Sequence, residues 1–239
     1  MTDAAVVIPA LNPEPSLLAY VEELHMHGCE KIIIVNDGSD KSTHPLFNKL
    51  NVAEYCTVLT HSLNQGKGRA LKTAFMHFIE KGFSHCGVVT ADADGQHAVQ
   101  DVLRVAAALE KTTHGLILGC RDFHSPQVPV RSYFGNKMTC MLFHALFRQN
   151  LLDTQTGLRG IHATDLPHLL TLHGERFEFE MTMLIDASKR GLPIYQVPIQ
   201  TLYFKKNESS HFNPIKDSVR ISANLVRGLF QAQPRKKES

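Results

Sequence analysis

Short apolar runs and amphipathic stretches take turns along the first half of the chain. Residues 5–9 (AVVIP), 31–36 (KIIIVN), 54–60 (EYCTVLT), 86–90 (CGVVT) and 115–119 (GLILG) are brief and largely apolar. They lack the alternation of a half-solvated strand, which is the pattern of strands buried on both faces. Helix-length segments separate them. Residues 16–27 place Leu17, Leu18, Val21 and Leu24 at helical spacing, and Gly28 follows as a stop signal. Residues 68–80 and 99–110 read as two more helices. Strand–helix alternation predicts an α/β fold: a single Rossmann-like, mostly parallel sheet with helices on both faces. The second half is less regular. It predicts a helix over 132–147, a strand over 158–162, a helix over 179–190 and one or two strands over 194–204. Pro214 then opens a last helix, 215–230. No repeat or long linker intervenes, so one domain over 1–230 is expected, followed by a basic tail at 231–239.

Composition supports a packed core. Of 239 residues, 43% are apolar and 20% charged, which excludes a disordered chain or a coiled coil. A net charge of +2 gives no reason to expect nucleic acid. The charge is uneven, however: residues 201–239 carry eight Lys or Arg against three Asp or Glu. In the predicted last helix, Ile215, Val219, Ser222, Val226 and Leu229 share one face, with Lys216, Arg220 and Arg227 nearer the other. Such a helix can pack on the core or lie on an anionic membrane. The five cysteines are scattered and form no CxxC, so neither a disulfide framework nor a zinc ribbon is expected. Reduced thiols and the absence of a signal-peptide pattern at the N-terminus suit the cytoplasm. No apolar run reaches the roughly 18 residues that span a bilayer. The many histidines show no HExxH grouping, and Met138, Met141, Met181 and Met183 read as core filler.

Chemistry collects where the first four strands end. Polar loops follow them in order: Pro9-Ala10-Leu11-Asn12-Pro13-Glu14, Asp37-Gly38-Ser39-Asp40, Asn64-Gln65-Gly66-Lys67-Gly68, and Asp92-Ala93-Asp94-Gly95-Gln96-His97. In a parallel sheet all four share the carboxyl edge, where such folds bind ligands. Asp92 and Asp94, at i and i+2, point the same way in extended chain. Paired carboxylates suit a hard divalent cation, with Gln96 adding a neutral oxygen. Asp37 is placed to accept hydrogen bonds from a nucleobase or ribose, or to make an ordinary Asp-Gly turn. Gly66-Lys67-Gly68 opens a helix whose free N–H groups favour an anion, though it is neither a Walker A loop nor a GxGxxG fingerprint.

The ordered set IPALNPE, VNDGSD, NQGKGRA and TADADGQH resembles the family 2 glycosyltransferases, nearest the dolichol- and polyprenyl-phosphate sugar synthases. The resemblance continues through Gly119-Cys120-Arg121, Arg131-Ser132-Tyr133-Phe134-Gly135-Asn136, DTQTGLR at 153–159, RFEFE at 176–180 and Ser209-Ser210-His211-Phe212, covering about residues 5–220. It implies a GT-A fold and inverting, metal-dependent transfer of a sugar from a UDP- or GDP-sugar. The implied acceptor is a polyprenyl phosphate at a membrane surface. It also implies roles. Pro9, Ala10, Leu11, Glu14 and Asp37 would hold the nucleoside, and Lys67 would assist with the nucleotide. Asp92 and Ala93 would lie by the ribose and phosphates. Asp92, Asp94, Gln96 and His211 would face Mg²⁺ or Mn²⁺. Arg121 and Arg131 would meet phosphates, and Asp153 and Glu180 would lie near the acceptor as catalytic groups beside Asp94. Two positions depart from the family pattern: the Asp-x-Glu common in the later helix reads Glu180-Met181-Thr182, and a serine common after the second arginine reads Gly135. Related chains often carry membrane helices, and none is evident here, so a separate membrane protein is a further candidate partner at the inner face of a membrane. A nucleotidyltransferase would need a glycine-rich first loop, which Pro9–Glu14 is not. A sugar-nucleotide-binding subunit without transfer activity and a transferase acting on a saccharide hydroxyl are the remaining readings.

Overall fold

A computed structural model describes residues 2–83, 85–123 and 130–200, with side chains given for all but 130–132. In chain order the elements are β1 (Ala4–Ala10), α1 (Ser16–Met26), β2 (Ile32–Asn36), α2 (His44–Val52), β3 (Cys56–Thr60), α3 (Lys67–Glu80), β4 (Gly87–Thr90) and α4 (Val99–Glu110). There follow β5 (Leu116–Arg121), α5 (Val130–Phe147), β6 (Arg159–His162), α6 (Leu166–Leu169), α7 (Glu178–Lys189) and β7 (Ile194–Ile199). The seven strands form one sheet in the order β3-β2-β1-β4-β6-β5-β7.

β1, β2, β4 and β5 are buried from both sides, as their lack of alternation requires, whereas β3, at the sheet edge, is only half-buried. Successive residues of β1 serve opposite faces. Ala5 and Val7 join Phe75 and Phe78 of α3, Phe143 of α5, Leu166 of α6 and Phe179 of α7. Val6 and Ile8 join Leu17 and Leu24 of α1, Phe47 of α2, and Val102 and Leu109 of α4. The helix α2 is an element the sequence reading passed over. It has Pro45 in its first turn and buries Leu46, Phe47 and Leu50, a period-3.6 signal confined to nine residues. Met181 and Met183 are buried as expected, but Met138 (66% exposed) and Met141 (62%) face outward and are not core filler. β7 ends at Ile199. Residues 201–204, the expected helix 215–230, the tail and His211 lie outside the described residues.

One strand breaks the parallel order. β6 runs antiparallel to both β4 and β5. An inserted reversed strand begins where its neighbours finish. The segment 153–158 therefore enters β6 from the carboxyl edge of β4 and β5, beside the polar loops, and Thr90 pairs with Arg159.

Candidate functional site

The site is built around Lys67, the first residue of α3. Its ammonium lies 2.6 Å from Asp92 Oδ1 and 2.9 Å from Glu180 Oε1. It thus joins the loop after β4 to the first turn of α7. Burial disfavours the charged lysine, but Asp92 and Glu180 outweigh it, and the group is held well above the ordinary lysine range. Burial likewise opposes ionisation of Asp92. The adjacent Lys67 charge wins and holds its carboxyl at about 2. Asp94 goes the other way. It is open to solvent on its outer side, yet the packed atoms around it, and then the charge of Asp92, push it up to about 6. Its Oδ1 accepts from the Gln96 N–H at 3.0 Å.

A glycine makes this cluster possible. A Cβ on Gly157 would lie 2.5 Å from Asp92 Oδ2, 2.7 Å from Asp92 Oδ1 and 2.8 Å from Lys67 Nζ. Its carbonyl accepts from the buried Thr90 hydroxyl at 2.7 Å, so the peptide is fixed as well as bare.

The second cation–carboxylate pair sits at the end of β5. Arg121 donates from Nε and Nη2 to Asp153 at 2.6 and 3.0 Å, a bidentate fork. Asp153 is 0% exposed and also accepts from the Gln155 N–H. Arg159, fully buried at the start of β6, donates Nε to Thr156 O at 3.1 Å and Nη1 to the Glu180 carbonyl. Burial lowers its pKa against the pull of Glu180, Asp153 and Asp92.

Asp37 acts on the chain itself. One carboxylate oxygen accepts from His61 Nδ1 (2.7 Å) and the Gln65 N–H (2.9 Å), the other from the Gly66 N–H (2.8 Å). Three of its roughly four acceptor positions therefore hold the loop that delivers Lys67. The start of α3 is also engaged: Arg69 N–H donates to Glu175 O at 2.9 Å, and the Glu175 carboxylate pairs with Arg69 and Lys72. Gly66 lies in the left-handed region (φ +105°), and a Cβ there would meet Glu175 O at 2.4 Å. Truncating Asp37→Ala should orphan two loop amides and cost about 3 kcal/mol. Urea unfolding should show a lower midpoint at unchanged m-value.

Pro9 and Ala10 close β1, and Leu11 and Glu14 follow in its loop. Asn12 ties that loop to the next one through Asp40 and Ser39. Ala93 stands half-buried between Asp92 and Asp94. Arg131 is the second residue of α5; its side chain is outside the description, as is His211. The sequence reading assigned no role to His61, His97, Gly157, Arg159 or Glu175. Gly157 was in plain view inside DTQTGLR, but nothing in one sequence says which atoms a missing side chain makes room for. The buried Tyr20 hydroxyl has no hydrogen-bond partner among the described residues, and burial, then Asp92, drives its pKa far above the tyrosine range.

Among the described residues no helix is long and apolar enough to cross a membrane. No group of three or more His, Cys, Asp or Glu side chains among them is arranged to hold a metal.

Residues 5–163 match the family model for glycosyl transferase family 2. A UDP-N-acetylglucosamine–dolichyl-phosphate N-acetylglucosaminyltransferase of Methanococcus voltae is 30% identical over 215 residues, 83% of this chain and 85% of that one. A dolichyl-phosphate beta-glucosyltransferase of Dictyostelium discoideum is 26% identical over 249 residues, covering 95% and 74%. Glucosyl-3-phosphoglycerate synthase from Mycobacterium tuberculosis, crystallised with Mn²⁺, uridine diphosphate and glucosyl-3-phosphoglycerate, superimposes with a TM-score of 0.72 at 18% identity, covering 97% and 81%. The expected sheet architecture and the ordered loop motifs agree with these matches. The chain belongs to glycosyl transferase family 2 and is a glycosyltransferase on the GT-A fold.

Proposed function

We propose that this enzyme transfers a sugar from a nucleoside-diphosphate sugar to a lipid phosphate of the polyprenyl or dolichyl type, with inversion at the anomeric carbon. One observation carries the choice of acceptor. Among the described residues, and apart from the Asp92–Asp94 pair, the two carboxylates placed to act as a base are Asp153 and Glu180, and each already serves a cation. Asp153 is forked onto Arg121 and Glu180 holds Lys67. A sugar hydroxyl must lose a proton as it attacks and needs an available base. A phosphate is already an anion and needs none. The dolichyl-phosphate transferases among the relatives agree with this reading.

Asp92, Asp94 and Gln96 fit a divalent cation. Two crowded carboxylates, one with its pKa raised by burial and then by the other, and an amide oxygen make a hard donor set suited to Mg²⁺ or Mn²⁺. When bound, such an ion neutralises charge that develops on the leaving diphosphate. Lys67 contributes a fixed positive charge with two of its three N–H donors committed. Arg121 adds a second, oriented by Asp153. Fixed charges aimed at the leaving group are worth more in a dry site than in water.

The test offers a polyprenyl phosphate and the matching polyprenol, with UDP- and GDP-sugars and Mn²⁺ or Mg²⁺. Product should form on the phosphate alone. Glu180→Gln, which keeps an oxygen for Lys67, should retain transfer within about tenfold of the wild type; a loss of 10² or more with donor binding intact would make Glu180 a base and favour a hydroxyl acceptor.

A further inference from the structure

We infer that His97 is a positioning residue that aims the Asp92–Asp94 carboxylate pair through the Asp92 backbone amide. The observation is local. Ala91 N–H makes the last ladder bond of this strand, to Val7 O at 2.9 Å. The next amide, that of Asp92, has run past the ladder and would be an orphan donor. It donates instead to His97 Nδ1 at 3.1 Å. The imidazole is buried (4% exposed) under the loop. Its other nitrogen, Nε2, lies 3.9 Å from Asp92 Oδ2.

These contacts fix the tautomer. A nitrogen that accepts from an amide carries no proton, so the neutral ring bears its hydrogen on Nε2, on the side of the Asp92 carboxylate. Burial drives the pKa of the ring down to about 4 against the attraction of Asp92, in keeping with a neutral ring. A second bond closes the other half of the loop: Gln96 N–H to Asp94 Oδ1 at 3.0 Å, with Gly95 supplying the left-handed turn between them (φ +72°). His97 pins the first carboxylate's backbone and Asp94 pins its own. The two donor oxygens are thereby set relative to each other before any ligand arrives. Groups that orient ligating carboxylates from behind matter nearly as much as the ligands themselves.

The inference rests on the proposed role of Asp92 and Asp94 and is tested separately from it. Two substitutions divide the imidazole. His97→Asn puts an oxygen where Nδ1 was and keeps the acceptor for Asp92 N–H. His97→Gln keeps a polar atom near Nε2 and loses that acceptor. Mn²⁺ binding in the presence of UDP or GDP, followed by electron paramagnetic resonance on the full chain, should stay near wild type for Asn and weaken about 10–100-fold for Gln. The Gln variant should melt about 2–4 °C below the Asn variant, because it leaves the Asp92 amide without an acceptor. In transfer assays Gln should lower kcat at saturating donor more than Asn does. In the ¹⁵N spectrum of the wild type, Nδ1 should resonate as an unprotonated acceptor. Equal Mn²⁺ affinity for Asn and Gln, or a protonated Nδ1, would overturn the inference. No Mn²⁺ binding by the wild type would defeat the donor-site reading instead, and the imidazole tautomer would still decide on His97's contact.

Discussion

A Lys67→Met enzyme should lose sugar transfer by about 10³-fold, the size expected when one fixed charge is removed from a dry site. The argument starts from the two distances, 2.6 Å to Asp92 and 2.9 Å to Glu180. One ammonium balances two carboxylates that lie far apart in the sequence. Without it, Asp92 and Glu180 face each other with no cation between them, and like charges at close range raise each other's pKa. Stability should also fall. Removing one partner of a fully buried pair costs 3–5 kcal/mol, but the Asp92 side chain is 30% exposed, so water recovers part of that and about 2 kcal/mol is expected. The double variant Lys67→Met, Glu180→Gln separates the two losses. Removing the second charge should restore much of the stability, read by urea unfolding, and none of the transfer, read in single turnover. If the double variant recovered transfer, Lys67 would be a structural counter-ion only. Lys67→Arg should not rescue either, because the planar fork is wider than an ammonium and Gly157 leaves room for the smaller group alone.

What the sequence disclosed followed from rules that act locally. Apolar runs without alternation gave five strands, four of them buried and β3 half-buried at the sheet edge, and each polar loop at a strand end could be placed on the carboxyl edge by topology alone. The places of Asp37, Lys67, Asp92 and Asp94 at that edge were legible for that reason. Four things were not. The reversal of β6 is a pairing choice, made between segments far apart in sequence, and Leu158–His162 looks the same in either direction. The partners of Asp153 and Glu180 depend on that reversal, because it brings 153–158 back to the edge that holds Lys67 and Arg121. The work of Asp37 was also hidden. Its neighbours in sequence suggested a ligand, while its hydrogen bonds go to His61, Gln65 and Gly66, some 24 to 29 residues onward. Histidines offered no pattern either: the contacts of His61 with Asp37 and Thr73, and of His97 with Asp92, are announced by no spacing.

The reversal of β6 sets up the second large effect, at Gly157. Gly157→Ala adds one methyl group and no charge, and nothing in the local backbone demands glycine, since its φ is not in the left-handed region. The new Cβ would lie 2.5 and 2.7 Å from the Asp92 carboxylate oxygens and 2.8 Å from Lys67 Nζ. All three are inside van der Waals contact, so something must move. The Gly157 peptide is held by Thr90, whereas the Asp92 and Lys67 termini can swing. The side chains therefore yield, and the cost to the fold stays small, about 1 kcal/mol, as for a modest overpacking relieved by rotation. The cost to function does not. A displacement near 1 Å in a charged catalytic group is enough to lower rates by about 10²-fold. Gly157→Ala should accordingly melt within a few degrees of the wild type and transfer sugar at least 10²-fold more slowly, with the loss in kcat. Gly157→Ser should behave alike, since its Cβ occupies the same space. Normal turnover by the alanine variant would mean that the Lys67–Asp92 contact can be rearranged without consequence, and that the charge cluster at this edge is a strut rather than part of the reaction.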